Sequence, residues 1–117
     1  MIKDKIRREI ERAISDPEVY VKGHDLGRLR VAFDGMCSQI CHQVTGSTPH
    51  NRMMLRRRLN KFIEENPDHE NVGLVQTVNA ALRESENTLF RKDYVDHSES
   101  IERFISEFLT DVLRALS

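Results

Sequence analysis

The first residues in this sequence whose type and spacing suit chemistry are Cys37, Cys41 and His42. Thiolates and imidazoles bind soft metals, and zinc takes four such ligands in a closed tetrahedron. Helical spacing works against that use. Cys37 falls on an apolar face, Cys41 on its margin, and His42 about 140° round from Cys37. Zinc ligands also sit at shorter spacings, on loops. The pair therefore reads as two small core residues beside a surface histidine, because free cysteine packs as a small hydrophobe. No metal and no cofactor is expected. On a helix the two Cβ atoms are also about 5–6 Å apart, beyond the roughly 3.5–4.5 Å a disulfide needs. Reduced thiols and a cytoplasmic location follow as the expectation.

Cations carry the second chemistry. Arg52, Arg56, Arg57, Arg58 and Lys61 crowd one short stretch. At helical spacing Arg57, Arg58, Lys61 and Met54 lie opposite Leu55, Leu59 and Phe62. A local basic face of this kind meets phosphates. No aromatic side chains interleave with it, so stacking on a single strand is not indicated. The cluster Arg7, Arg8 and Arg12 is diluted by Glu9 and Glu11 and reads as plain surface. His24, His50 and His69 fall in loops. The glycines are too scattered for a phosphate loop, and no serine stands in a nucleophile elbow. The carboxylate pairs Glu64-Glu65 and Asp93/Asp96 lie among cations without a spacing that demands acid–base work.

The elements that must position these groups are helices. Apolar residues recur at intervals of three and four almost throughout, over segments of about 2–14, 25–44, 49–65, 72–91 and 97–116. The first carries a thin stripe, Ile2, Ile6, Ile10 and Ile14, set among charges, and must lay it on the body or on a partner chain. Asp25 is a plausible N-cap for the second. Thr48 and Pro49 suit the cap and first position of the third. The last segment has the widest apolar arc, Ile101 to Leu116, which predicts a central place for it. Short loops favour adjacent helices. The expected fold is all-α, a single-domain four- or five-helix bundle with a central C-terminal helix.

The junction before that last helix reads Phe90-Arg91-Lys92-Asp93-Tyr94-Val95-Asp96-His97. It resembles the motif of HEPN domains, small helical bundles that often dimerise, in which an Arg and a His stand a few residues apart near the start of the final long helix. The resemblance covers only the last third of the chain. It implies Arg91 and His97 as a catalytic pair for metal-independent RNA cleavage across a dimer, with His97 as acid–base and Arg91 on the phosphate. Lys92 stands where the family favours a polar residue such as Asn or Asp. Six helical steps would also place the pair about 240° apart, so a break between them is required.

Composition bounds these readings. The chain has 117 residues, 18 Lys+Arg against 19 Asp+Glu, for a net charge of −1. That length suits one domain burying roughly two-thirds of its extended surface. Balanced charge excludes whole-molecule steering to nucleic acid or to an anionic membrane, but not a local patch. No apolar run approaches the roughly 18 residues of a membrane span. The first expectation is a helical interaction or regulatory module, oligomeric or held by a partner protein through Ile2, Ile6, Ile10 and Ile14. Nucleic acid is its candidate ligand, through Arg57, Arg58 and Lys61. The alternative is a HEPN-like ribonuclease or toxin-type effector.

Overall fold

A computed structural model describes Asp4, Arg7, Arg8, residues 26–91 and residues 98–116. Four helices run through these segments: α1 (Leu26–Thr45), α2 (Arg52–Glu65), α3 (Val72–Ser85) and α4 (Ser98–Ala115). No strand occurs among the described residues, and the all-α bundle expected from periodicity is what they form. Asp4, Arg7 and Arg8 are also helical. The Arg7 guanidinium donates to the Leu116 carbonyl at 2.9 Å, which ties that part of the N-terminal stretch to the end of α4. Ile2, Ile6, Ile10 and Ile14 lie outside the described residues.

Each helix begins and ends for a local reason. Helix α1 buries Leu29, Phe33, Cys37, Ile40 and Cys41 on one face. Gly46 closes it: its φ of 76° is a left-handed turn, and its N–H reaches the His42 carbonyl at 2.9 Å. Helix α2 starts later than the Thr48-Pro49 pair predicts. Asn51 is the cap, its side chain accepting from the Met54 N–H at 2.9 Å, and this leaves Thr48 and Pro49 in the preceding loop. Asn66, followed by Pro67, ends α2 and donates back to the Phe62 carbonyl from both backbone and side chain. Helix α3 stops at Ser85 rather than running to residue 91. The buried Ser85 hydroxyl donates to the Leu82 carbonyl at 2.6 Å, and the chain leaves through turns in which the N–H groups of Glu86, Asn87, Thr88 and Arg91 bond three residues back and that of Phe90 returns to the Ser85 carbonyl at 2.9 Å. This is how a serine competes with a helix backbone.

Burial decides which helix is central. Helix α3 packs against each of the other three and buries Leu74, Val75, Val78, Asn79, Leu82 and Ser85. Helix α4 also has neighbours on several sides, packing on α3, meeting α1 through its rings and receiving Arg7 at its end, and its arc dominates the aromatic core. Phe104 and Phe108 meet Phe33 of α1 edge-on, with ring centroids 5.4 and 4.9 Å apart, a favoured geometry for ring pairs.

Candidate functional site

The cations crowded at the start of α2 separate into two sites. Taking Leu55 as the centre of the buried face, Arg52 lies about 60° to one side of it, while Arg58, Met54, Lys61 and Arg57 lie about 60°, 100°, 120° and 160° to the other. Arg58 is thus half-buried on the flank of the apolar face, a correction to its expected place opposite that face. The flank with Arg58, Lys61 and Arg57 opens to the surface, and the Arg52 flank turns inward.

On the surface, Arg57, Arg58, Lys61 and Met54 form one wall of a shallow groove of about 480 Å³, and the loop Ser47–His50 forms the other. The delayed start of α2 makes this possible, because Thr48, Pro49 and His50 remain free to stand beside the helix. Thr48 is held there by a 3.0 Å hydrogen bond between its Oγ1 and His42 Nδ1. Met54, 41 % exposed, gives the groove an apolar patch. Lys61 lies 3.8 Å from Glu65, both side chains more than half exposed, a pairing worth little. Among the described residues no carboxylate lies within ion-pair distance of Arg57 or Arg58. Three cations and an imidazole therefore face one concavity with little to neutralise them.

Inside, Arg52 joins three helices. Its guanidinium donates to Asp34 of α1, to the buried Ser85 hydroxyl at 2.5 Å, to the Leu82 carbonyl at 3.2 Å and to Glu86 at 3.2 Å. It also lies over the Phe90 ring, 3.8 Å from the centroid. Arg30 of α1 reaches the same turn, donating to the carbonyls of Leu89 at 2.5 Å and Arg91 at 3.4 Å, with its guanidinium 5.4 Å from the Phe90 centroid. Phe90 is thus a half-buried platform under two cations, a geometry that suits a ring quadrupole. Burial pushes the Asp34 carboxyl above its ordinary range, with Glu86 adding to the rise and Arg52 opposing it. One turn along, burial and the Asp34 charge push the Cys37 thiol well up.

The remaining sequence candidates are placed as follows. Cys37 and Cys41 are free thiols, fully buried in the core, and His42 is exposed. Among the described residues no group of three or more His, Cys, Asp or Glu could hold a metal ion. His69 is spent within the fold, accepting from the Asn71 N–H at 3.0 Å and packing edge-on against Phe62. Arg91 is exposed at the end of the turn that Arg30 clamps, and His97 lies outside the described residues. The contributions of His50, Thr48 and Pro49 to the groove are legible only once the true start of α2 is known. No helix among the described residues is long and apolar enough to cross a membrane. Compared with models of protein families, with curated proteins and with solved structures, the chain gives no match.

Proposed function

We propose that this protein is a non-enzymatic helical interaction module that binds a nucleic-acid backbone through the groove of Arg57, Arg58, Lys61 and His50. One observation carries the reading: cations adjacent on a helix face a loop that completes a concave wall, and no described carboxylate neutralises the two arginines. Phosphate oxygens are the natural ligands of such a surface, since guanidinium groups bind them in a fork and released counterions drive the association. The buried free thiols suit a reducing, cytoplasmic compartment. The Ile2, Ile6, Ile10 and Ile14 stripe supplies a surface for a second copy or a partner protein, which Ile6→Asp would weaken in light scattering. The binding test is fluorescence anisotropy on labelled RNA and DNA at low salt. Wild type binds, and Arg57→Glu with Lys61→Glu abolishes binding without changing the circular dichroism. Equal binding by the charge-reversed variant would sink the proposal.

A second reading keeps one support. Arg91 is exposed on a turn held by Arg30, directly ahead of the segment that carries His97, as the HEPN resemblance requires. As a ribonuclease the protein would cleave RNA in EDTA to a 2′,3′-cyclic phosphate, and His97→Ala would end this. The absence of that product from a panel of RNAs would remove this reading.

A further inference from the structure

Resting on the nucleic-acid reading above, we infer that the groove takes the phosphorylated end of a single strand rather than a stretch of duplex.

Its length comes first. From Met54 to Lys61 the cationic wall spans about 10 Å at 1.5 Å per residue. Beyond Lys61 the same face continues into Glu65, with Glu64 beside it. Those carboxylates repel a phosphate chain that would run on along α2. The opposite side is the loop Ser47–His50. The site can therefore neutralise about three phosphate charges, fewer than the six to ten contacts over which a duplex-binding protein spreads its affinity.

Its shape and lining come second. A volume of about 480 Å³ falls in the range of small-ligand sites, roughly 300–1,000 Å³. Met54 and Pro49 supply apolar surface beside the cations. The His50 ring supplies a face on which a splayed base can stack, as imidazoles do for single strands. One compact unit bearing concentrated negative charge and one base fits this combination.

The charge of the ligand comes third. A phosphomonoester carries about −1.5 to −2 at neutral pH, against −1 for an internal diester. Where Arg57, Arg58 and Lys61 converge, the second charge adds directly to binding. One extra unit charge near a surface cation gives about a fivefold gain. The same headgroup exists on a free mononucleotide, which lacks the rest of the strand.

The experiment compares four probes by anisotropy or competition at low salt. They are one single-stranded oligonucleotide with a 5′-phosphate, the same with a 3′-phosphate, the same with hydroxyl ends, and a free mononucleotide. The expected result is binding about fivefold tighter for one of the phosphorylated ends than for hydroxyl ends, lost in Arg58→Gln and retained in Arg103→Gln, a change at an exposed α4 cation that does not line the groove. Competition by the mononucleotide at a similar concentration identifies the terminal unit as the whole ligand. Failure of the mononucleotide to compete assigns part of the contact to the strand. Equal affinity for phosphorylated and hydroxyl ends overturns the end-binding inference but leaves the nucleic-acid reading standing. Absence of binding to every strand overturns both.

Discussion

Replacing Arg52 by Met should destabilise the protein by about 2–3 kcal/mol while leaving the groove intact. Asp34, 31 % exposed as a side chain, loses its cation. That ion-pair loss amounts to about 1–2 kcal/mol once solvent screening is allowed for. The Leu82 carbonyl and the Ser85 hydroxyl lose a charged donor. Ser85 keeps its own bond to Leu82, so these two together come to about 1 kcal/mol. Removing the guanidinium from the Phe90 ring adds about 0.5–1 kcal/mol. The Glu86 contact is at the rim and adds nothing measurable. Against these, Met retains packing on Phe90 and spares the desolvation of a guanidinium. In urea, with a denaturant slope of about 1–2 kcal/mol per M, the midpoint should fall by about 1–3 M. Arg52→Lys should recover less than half of this, because an ammonium cannot reach several acceptors in fixed fork geometry. Arg57→Met, on the exposed face of the same helix, should leave the midpoint unchanged. The reasoning is refuted if Arg52→Met moves the midpoint no further than Arg57→Met does.

Other expectations follow from the same geometry. With three groove cations, the logarithm of single-strand affinity should fall with log salt at a slope of about −2, or about twentyfold between 50 and 200 mM. A slope near zero in a salt titration would mean that phosphates are not the ligands. The raised Asp34 pKa means that the folded state binds the proton more tightly than the unfolded state does. Relative to Asp34→Asn, wild-type stability should therefore be greatest in acid and decline as pH rises from the ordinary aspartate range through the raised value. Urea midpoints of both proteins across that range test the sign, and a difference that grows with pH would contradict it. Cys37 and Cys41 should resist alkylation in the native protein and react fully in denaturant, given their complete burial and the raised Cys37 pKa. Rapid native labelling, read by mass spectrometry, would show that this part of the core opens.

The sequence made the helices and the basic face legible because both depend on period alone. Leu55, Leu59 and Phe62 against Arg57 and Lys61 is a pattern that no tertiary information is needed to read, whereas Arg58, about 60° from Leu55, joins the groove from the flank of the apolar face. Boundaries were less legible, since each turned on a competition between local groups. Asn51 outcompeted Thr48 as the α2 cap, because its side chain reaches the Met54 N–H. Ser85 ended α3 by bonding to Leu82, and this moved Phe90 out of the helix expected over 72–91 onto a turn beneath two guanidinium groups. The groove follows from the first of these shifts, because a helix beginning at Pro49 would absorb the loop that forms its second wall.

The interior cluster had a sequence signal of a different kind. Arg52 is three residues before Leu55 and seven before Leu59, on the apolar side of its helix. Asp34 lies about 60° from Cys37 and about 20° from Cys41, on the margin of another apolar face. Ser85 shares a face with Leu74, Val78 and Leu82 on a third. Each is a polar residue on the buried side of a helix, and a buried polar group must find a partner. Of the three only Arg52 has donors enough to serve several acceptors at once. When a carboxylate, a hydroxyl and a guanidinium are each turned toward one core, the arrangement that leaves none unpaired brings all three together. That requirement aligns α1, α2 and the end of α3 at one point. It also sets the direction in which the chain leaves α3 for Arg91. The two neighbouring arginine sites on α2 thus differ in kind. Arg52 ties three helices together, whereas no described carboxylate pairs with Arg57 or Arg58, and it is this second pair that the proposed phosphate groove uses.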